Sequence, residues 1–495
     1  MESKDFITWE FLKNVAEALD SYRIRVLIDA KNEIINSGVY SEDQYYQILF
    51  EMFDRERMKY LLLNYIKNKP IHNFESLKTF SKKNSIDIKK TLSNIELLKN
   101  EGLIETFYPK KEINTDIVSP QGIKNRSIKA LTCNPSEIKS IYEPVNVIFN
   151  SENCSGCGLC AGICPVNCIN VYNGFGKIEE DKCIKCGLCY YFCPRTFLPV
   201  NLLNMEQNLN SNITFSPKIG SYLEIYSAKT KIKEISNVCQ DGGITSTCLY
   251  FLLDSNQIDM ALGAKMSRTL WRPEPVLIKS KGDILKTVGT KYVNNPTLSL
   301  LNELNNKHSK IAVVGVPCMM QALLKSEIYN VAIPSLSQVL YRIGIFCMES
   351  FSYESLLKIC QLLNVNVNDI QKTDINKGKF FIYTKKDEEL SIQVKEISHL
   401  ARKDCKVCFD LTSESADISI GSTGSPVGWN TIIIRTIKGK QLFDSLIKRN
   451  LIEYKNIKEV QPGLPTVEKI ANSKKNKCFK HLSEKSKGNM RIPNY

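Results

Sequence analysis

Eight cysteines in two short runs are the residues with the clearest capacity for chemistry. Each run has the spacing C-x2-C-x2-C-x3-C and is followed at once by proline. The runs are Cys154, Cys157, Cys160 and Cys164, and then Cys183, Cys186, Cys189 and Cys193. Three thiolates spaced three residues apart can each bind one iron corner of a cubane. Gly156, Gly158 and Gly187 let the backbone approach it closely. The pattern therefore predicts electron transfer through [4Fe–4S] clusters.

This stretch resembles the bacterial-type two-cluster ferredoxins, in which the fourth cysteine of each run binds the other cluster. The resemblance implies one cluster on Cys154, Cys157, Cys160 and Cys193, and a second on Cys183, Cys186, Cys189 and Cys164. A pair of zinc sites is the alternative, but zinc commonly uses paired C-x2-C knuckles, often with histidine. Cys168 lies outside the pattern and is expected to be a buried free thiol.

A glycine-rich turn farther along the chain is a candidate anion site. The residues Gln240, Asp241, Gly242 and Gly243 open a helical stretch that includes Thr245. Asp-Gly-Gly at this place resembles a backbone nest at a helix N-terminus, which can hold an anionic group. A simple tight turn is the alternative interpretation.

Four further cysteines come from three separate places in the C-terminal half. Cys318 follows a short buried strand, and Cys347 follows the next strand, at the edge of an α/β sheet where ligands bind. Cys405 and Cys408 form a separate C-x2-C pair. These cysteines either converge on one metal centre or are unrelated free thiols.

Together these segments resemble the family of coenzyme F420 hydrogenase/dehydrogenase beta subunits over residues 218–475. The motifs stand in the family's order: QDGG (240–243), GTKY (289–292), GVPC (315–318), FC (346–347), C-x2-C (405–408), ADISIG (416–421) and IIIRT (432–436). Members of the family bind FAD and one [4Fe–4S] cluster, and exchange a hydride between FAD and the deazaflavin F420. No catalytic side chain is implied, since FAD carries the hydride.

The resemblance also implies roles for individual residues. A third [4Fe–4S] cluster would lie on Cys318, Cys347, Cys405 and Cys408. Contacts to FAD or F420 would come from Gln240, Asp241, Gly242, Gly243, Thr245 and Lys291. Lys291 and Arg435 would meet phosphate or the anionic tail of F420, and a surface salt bridge is the alternative for both.

Hydrophobic periodicity places these motifs in a multidomain α/β and α+β protein. The strand-like runs IAVVGVP (311–317), YRIGIFCM (341–348), ADISIG and TIIIRT alternate with helices such as SYESLLKICQLLN (352–364). The predicted organisation is a helical, winged-helix-like domain (1–112), a linker (113–147), a 2[4Fe–4S] ferredoxin-like domain (148–205), an α/β FAD-binding domain of the F420 hydrogenase beta-subunit type (216–475) and a basic tail (476–495).

The N-terminal domain has the outline of a winged helix. Ser41 is a candidate N-cap, and residues 57–102 contain three helical patterns before the strand-like run LIETFYP. The third pattern carries Lys89, Lys90 and Lys99 but lacks arginine, the commonest base-reading residue. The segment slightly resembles archaeal sugar-operon-type regulators. A docking domain for a partner subunit is favoured over DNA binding.

Composition restricts the cellular setting. The chain has 495 residues, 18 cysteines and a formal net charge of +14. Clustered C-x-x-C pairs without a secretory signal favour metal ligation in a reducing compartment over disulfides. With no apolar run of membrane-spanning length, the expected location is cytoplasmic, including the periphery of a membrane complex. The basic charge suits an anionic partner or a solvated lysine-rich surface.

The resulting hypothesis is an electron path from reduced F420 through FAD and three [4Fe–4S] clusters to a partner. The partner would be another subunit of a redox complex of the hydrogenase, F420H2 dehydrogenase or reductase type. One alternative is a FAD and iron–sulfur reductase of the same family that uses ferredoxin or another substrate instead of F420. The other alternative is a redox-responsive DNA-binding regulator.

Overall fold

The computed structural model describes most of the chain in several stretches. They are residues 22–68, 74–84, 86–87, 90–91, 94–95, 104–107, 127–130, 145–196, 198, 200, 213–267, 270–305, 309–328, 333–487 and 493. Among these residues, no helix combines the length and the apolar character that crossing a bilayer requires.

The N-terminal part is helical. It contains α1 (Tyr22–Asp29), α2 (Lys31–Asn36), α3 (Glu42–Asn68) and α4 (Phe74–Lys83). Ser41 caps α3 as predicted: its hydroxyl accepts the Gln44 N–H at 3.3 Å, and Gln44 Oε1 accepts the Ser41 N–H at 2.9 Å. This reciprocal pair is a capping box. The helix expected to begin near residue 57 is instead the second half of α3.

A two-stranded ribbon follows these helices. Strands β1 (Ile104–Phe107) and β2 (Ser127–Ala130) pair antiparallel. β1 was expected, whereas β2 lies inside the stretch interpreted as a linker (113–147), so that stretch is not uniformly irregular. Most of the third predicted helix, including Lys89 and Lys99, falls outside the described residues. The winged helix therefore stays a prediction.

The cysteine-rich module is built from short elements around a hairpin. They are α5 (Asn146–Phe149), α6 (Leu159–Gly162), β3 (Ile169–Tyr172), β4 (Phe175–Ile178), the 3₁₀ turn Glu180–Lys182 and α7 (Leu188–Phe192). Gly158 precedes α6 with a φ of +89°. A Cβ added there would lie 2.6 Å from the carbonyl oxygen of Pro296. Glycine at this position thus allows close contact with the following domain.

The C-terminal half carries the remaining strands and helices. The strands are β5 (Thr214–Ser216), β6 (Gly220–Tyr222), β7 (Glu224–Thr230), β8 (Met260–Met266), β9 (Pro273–Ile278), β10 (Ile311–Gly315), β11 (Val339–Ile345), β12 (Ile370–Asn376), β13 (Lys379–Thr384), β14 (Glu389–Gln393), β15 (Ile418–Gly421), β16 (Asn430–Ile434) and β17 (Ile452–Asn456). The α-helices are α8 (Lys233–Ser236), α9 (Ile244–Asp254), α10 (Lys281–Lys286), α11 (Pro317–Ile328), α12 (Pro334–Ser337), α13 (Tyr353–Leu362), α14 (Val394–Ile397), α15 (Ile437–Lys448) and α16 (Leu464–Lys487). Short 3₁₀ helices span Thr297–Leu304, Val367–Asp369, Ser398–Leu400, Lys403–Val407 and Ile457–Glu459.

An eight-stranded mixed sheet organises this half, in the order β17–β7–β16–β15–β11–β10–β8–β9. The four neighbours β15, β11, β10 and β8 run parallel, and the other pairings are antiparallel. Every residue of β15 and β16 is buried, as expected for β-branched strands covered on both faces. β12, β13 and β14 form a separate antiparallel sheet. The sheet confirms the predicted α/β organisation.

The N-terminal helices and the cysteine-rich module share one hydrophobic core with the sheet domain. Leu49 of α3, Phe192 of α7, Leu298 of the 3₁₀ helix and Val313 of β10 are all fully buried in it. The Tyr40 hydroxyl donates to the carbonyl of Ile163 at 2.7 Å within this core. The packing places the cysteine-rich module between the N-terminal helices and the sheet.

The last long helix crosses a predicted boundary. The interpretation of residues 476–495 as a separate basic tail is wrong up to residue 487, because α16 runs continuously from Leu464 to Lys487. Cys478 and Leu482 lie on its buried side and pack with Val407 and Phe409. The helix therefore belongs to the sheet domain.

Candidate electron-transfer and cofactor sites

The first predicted cysteine set gathers near the start of α6. Burial raises the pKa of Cys157 to about 11, and the charge of Cys193 adds to that rise. Burial likewise raises the pKa of the Cys160 thiol, and the charges of Cys157, Cys154 and Cys193 add to that rise. Cys193 comes from the second run, so the structure brings the fourth cysteine of one run to the other run. Thiols buried in this way stay protonated until a bound metal displaces the proton and takes the thiolate as its ligand.

The second set shows the reciprocal arrangement. Burial raises the pKa of the Cys186 thiol, and the charges of Cys189, Cys164 and Cys183 add to that rise. Cys164 is the member contributed by the first run. The crossed pairing implied by the ferredoxin resemblance thus agrees with the proximity of the thiols.

Cys168 is buried, as expected, but it is close to the second set. Its Sγ lies 3.4 Å from that of Cys164, and its N–H points to the same sulfur at 3.4 Å. A hydrogen bond from Cys168 also lowers the pKa of Cys183 to about 6. The second set is therefore a group of five thiols.

The third set assembles at the carboxyl ends of parallel strands. Cys318 is the second residue of α11, directly after β10, and Cys347 follows β11 by two residues. Cys405 lies in the 3₁₀ helix Lys403–Val407, and Cys408 follows it. The main-chain N–H of Cys347 donates to Leu411 O at 2.9 Å. These elements bring residues from three chain positions to one place.

Electrostatic interactions connect the members of the third set to one another and to the first set. Burial raises the pKa of Cys318 well above its usual range, and the charges of Cys157 and Cys408 add to that rise. Burial also raises the pKa of Cys347, to about 11, with a contribution from Cys408. Cys405 has Cys347 as a neighbour. The third set is therefore adjacent to the first.

The donor chemistry of the three sets fits [4Fe–4S] clusters. Each set supplies four thiols, which is the ligand number of such a cluster. In the described part of the chain, no three His, Cys, Asp or Glu groups are placed to hold a single metal ion. Each thiolate of a cubane binds a different iron, and these all-cysteine donor sets suit that ligation.

Four buried cations surround these thiols. Arg195 is 1 %, Lys325 0 %, Arg402 5 % and Lys474 5 % exposed. Lys325 Nζ donates to the carbonyl of Cys193 at 2.8 Å. Although burial disfavours its charge, Lys474 has its pKa raised by the thiolates of the third set. Buried charges of this kind require compensating anions, which thiolate-bound clusters supply.

The turn at residues 240–243 is bonded directly to the loop at 289–292. Gln240 Oε1 accepts the N–H of Thr290 at 2.9 Å, and Gln240 Nε2 donates to Asp374 Oδ1 at 2.6 Å. Burial and the charge of Asp374 raise the pKa of Asp241. The Tyr292 hydroxyl also interacts with Asp374, at 3.4 Å. Two motifs separated by about fifty positions therefore form one polar site beside β12.

The N-terminus of α9 fits an anionic group. Gly243, at a φ of +71°, precedes the helix and provides no capping side chain. The N–H of Ile244 donates to Asn430 Oδ1 at 3.2 Å. Thr245, in the first turn, is partly exposed. A Cβ on Gly242 would lie 2.6 Å from Ala228 O and from Asn430 N. Backbone donors at such a helix end suit the pyrophosphate of a dinucleotide.

Lys291 lies at the edge of this site. Its ammonium donates to the carbonyls of Thr287, Val288 and Gly289, the last at 2.9 Å. Burial lowers the pKa of Lys291 to about 8. The residue also lines a small cavity with Trp271, Tyr292, Phe351 and other side chains. Its predicted contact with a cofactor stays a prediction.

Arg435 is placed away from the polar site and is fully buried. All five of its N–H groups donate within the protein: to Ser419 Oγ, Ile219 O, Ser221 O, and both Thr412 O and Thr412 Oγ1, at 2.6–3.0 Å. Burial lowers its pKa. This geometry makes Arg435 an internal cross-link and leaves it no donor for phosphate or an F420 tail.

Several residues of the sites had no sequence pattern to indicate them. Lys474 approaches the third set only through tertiary packing, from α16, and tertiary packing alone brings Arg402, three residues before Cys405, to the carbonyl of Cys154. Asp374 reaches the polar site from the separate three-stranded sheet. Arg195 alone had a local signal, since it directly follows the Cys193-Pro194 pair.

Three family profiles match this chain. The N-terminal and C-terminal profiles of the coenzyme F420 hydrogenase/dehydrogenase beta subunit match residues 225–302 and 308–460. A 4Fe–4S dicluster domain profile matches residues 146–195.

Curated relatives and a solved structure agree with these profiles. The beta subunit of the coenzyme F420 hydrogenase of Methanothermobacter thermautotrophicus is 34% identical over 56% of this chain and 99% of its own length. A subunit of the F(420)H(2) dehydrogenase of Methanosarcina mazei is 34% identical over 68% of this chain and 93% of its own. The coenzyme F420-dependent sulfite reductase of Methanocaldococcus jannaschii is 30% identical over 72% of this chain and 54% of its own.

A chain of the F420-reducing [NiFe] hydrogenase complex from Methanosarcina barkeri superposes with a TM-score of 0.53 and 36% identity, over 55% of this chain and 95% of that one. The ordered motifs, the sheet that carries them, the 4Fe–4S dicluster module and these similarities lead to one conclusion. The chain belongs to the family of coenzyme F420 hydrogenase/dehydrogenase beta subunits.

Proposed function

We propose that this chain moves electrons between reduced coenzyme F420 and a partner subunit, through FAD and three [4Fe–4S] clusters. The observation that carries the proposal is the contiguity of the three thiol sets. Cys318 of the third set has Cys157 of the first set as a neighbour, and Cys160 of the first has Cys189 of the second. Clusters bound by sets in this order would give electrons a route from the sheet domain into the cysteine-rich module.

FAD would be held by residues 240–245 and the 289–292 loop. When bound, FAD supplies the exchange between two-electron hydride chemistry and the single electrons that clusters carry. Gln240 joins the two segments through Thr290, which keeps the loop against the turn. The N-terminus of α9 would face the pyrophosphate. Lys291 stiffens the start of the loop by donating to the carbonyls of residues 287–289.

Other subunits of a redox complex are the proposed partners, since several relatives are named as subunits of hydrogenases and dehydrogenases. The N-terminal helices lie before the matched profiles. They pack over the second thiol set: Tyr40 is bonded to Ile163, and Arg55 donates to the Tyr191 hydroxyl at 2.9 Å. We infer that a partner receives electrons near these helices, which act as its docking domain.

The test is an anaerobic reconstitution followed by metal and flavin analysis. The expected content is about twelve irons per chain, from three four-iron clusters, with one FAD. Addition of F420H2 should bleach the cluster absorbance while F420 appears. Cys347→Ser should lower the iron content by about four while the ferredoxin-type clusters stay.

Cys360→Ser is the matched control, because Cys360 is buried in α13 but packs with Phe351 and Ile359 away from the thiol sets. It should leave the iron content unchanged. Iron at about eight per chain before any substitution would refute the third cluster. Full clusters and FAD without a reaction with F420H2 would favour the alternative reductase that uses ferredoxin or another substrate.

A second candidate, a redox-responsive DNA-binding regulator, is favoured by one observation. The antiparallel pair β1–β2 follows helices α3 and α4, which is the order of elements in a winged helix. The distinguishing measurement is a gel-shift titration with oxidised and reduced protein at several salt concentrations. Binding to DNA should weaken steeply with salt and change with cluster oxidation state if this candidate is correct.

A further inference from the structure

Lys474 occupies an unusual place for a lysine. It lies midway along α16, and its side chain is buried, with a residue exposure of 5 %. Its ammonium donates to the carbonyl of Cys347 at 2.6 Å and to the carbonyl of Asp410 at 2.8 Å. The first carbonyl belongs to a member of the third thiol set, and the second lies two residues after Cys408. The lysine therefore connects the two sides of that set.

Other charges around the set are largely paired. Arg402 Nε lies 2.9 Å from Asp404 Oδ1, and both side chains are buried. Lys475 Nζ lies 2.7 Å from Glu414 Oε1. These pairs cancel much of their own fields at the thiols. Lys474 instead directs its hydrogen bonds to neutral carbonyls, and among the residues that the structure describes no carboxylate is in direct contact with its ammonium.

Asp410 contributes the opposing charge. It is fully buried, and its Oδ2 accepts the N–H of Glu414 at 2.8 Å. The Cys408 thiol points to the Asp410 carbonyl at 3.7 Å. The third set thus has near it both a buried cation, on α16, and a buried carboxylate, in the loop after Cys408. The two charges should influence electron affinity in opposite directions.

We propose that Lys474 sets the reduction potential of the third cluster, raising it so that this cluster accepts single electrons readily. The inference rests on the proposed function, because it requires a [4Fe–4S] cluster on Cys318, Cys347, Cys405 and Cys408. Reduction adds one negative charge to the cluster. A buried cation stabilises that charge strongly because water does not screen it.

Lys474 acts on the reduction potential of the cluster through its charge, without binding the iron. It comes from a helix that begins after the matched family profile ends at residue 460. Sequence motifs of the sheet domain therefore do not include it, and the fold alone brings it to the cluster.

The experiment is a redox titration of the reconstituted full-length protein, followed by electron paramagnetic resonance. The signal of the third cluster is first identified as the one lost in Cys347→Ser. Lys474→Met removes the charge while nearly keeping the length of the side chain. It should lower the equilibrium constant for one-electron reduction of that cluster at least about tenfold, a shift of ~59 mV. Lys474→Arg keeps the charge and should restore most of the potential.

Two further variants separate tuning from general disruption. Asp410→Asn removes the opposing charge and should shift the same potential upward. Lys477→Met removes an exposed cation one turn farther along α16 and should leave it unchanged, since water screens that charge. An unchanged potential in Lys474→Met, or downward shifts in both Lys474→Met and Asp410→Asn, would overturn the inference. If Lys474→Met does not load the cluster, Lys474→Gln takes its place: it also removes the charge, its amide can still donate to the two carbonyls, and it should lower the potential. Failure of the proposed function is distinguishable. Without a third cluster, Cys347→Ser would lose no iron; with full clusters that do not react with F420H2, the potential shift in Lys474→Met would still be observed.

Discussion

Replacing Arg402 by methionine should loosen the cysteine-rich module from the sheet domain. Arg402 Nε pairs with Asp404 at 2.9 Å, while its Nη2 donates to the carbonyls of Cys154 at 2.7 Å and Gly174 at 2.8 Å. The last two residues belong to the module, and Asp404 precedes Cys405 in the sheet domain. One buried guanidinium thus joins both parts.

The expected size of the effect follows from these contacts. Arg402→Met leaves Asp404 buried without its partner, and removing one member of a buried ion pair costs about 3–5 kcal/mol. The lost hydrogen bonds to module carbonyls, which include a longer one of 3.4 Å to Asn173 O, act in the same direction. If the cost appears as easier opening of the β3–β4 hairpin, amide hydrogen exchange over residues 169–178 should accelerate roughly 10²- to 5 × 10³-fold. Mass spectrometry of peptides from reconstituted protein measures this rate.

The neighbouring residue offers a matched control. Lys403 pairs with Glu152 of the module at 2.5 Å, but the two side chains are 67% and 53% exposed. An exposed pair contributes only about 0–1 kcal/mol, so Lys403→Met should change the exchange rate by less than roughly fivefold. Adding Asp404→Asn to Arg402→Met should recover part of the protection. Equal effects of the two single substitutions would refute the argument from burial.

Three further outcomes are expected. Gly242→Ala should reduce the FAD retained after dialysis, because its Cβ would lie 2.6 Å from two main-chain atoms and overpacking costs about 1–3 kcal/mol; unchanged flavin fluorescence per chain would contradict the assignment of the turn. Tyr40→Phe removes the hydrogen bond to Ile163, worth about 1 kcal/mol, and should speed chelator bleaching of the nearby cluster up to roughly fivefold; an unchanged bleaching rate would count against the protective role of the N-terminal helices. Cys168→Ala should leave the iron content intact and lower the potential of the cluster bound by Cys164, because a thiol next to that ligand is lost; a loss of about four irons would instead make Cys168 a ligand.

Local spacing made the cysteine runs predictable from the sequence. Thiolates at every third residue supply three of the four ligands of a cluster from one short stretch, so the spacing alone indicates the chemistry. β10 and β15 were also predictable, because a short run of buried β-branched residues has few other stable conformations. The order of the family motifs along the chain indicated the family for the same reason: each motif is contiguous.

The linear pattern was misleading where packing overrides local preference. α3 continues through the point at which a new helix was expected, since its first half is held in a core shared with the cysteine-rich module. α16 crosses the predicted tail boundary because Cys478 and Leu482 are buried against the sheet domain. Neither contact partner is near in sequence, so periodicity alone did not reveal these extensions.

The sequence by itself determined which residues could bind clusters and in which family they occur. Only the tertiary structure decided which charges accompany them. In the folded protein Arg435 donates to five internal acceptors, and Lys474 donates to the carbonyl of Cys347, which is 127 positions away in the chain. The effect of a charge depends on its distance in space and on its burial, and neither can be read from the spacing of residues along the chain.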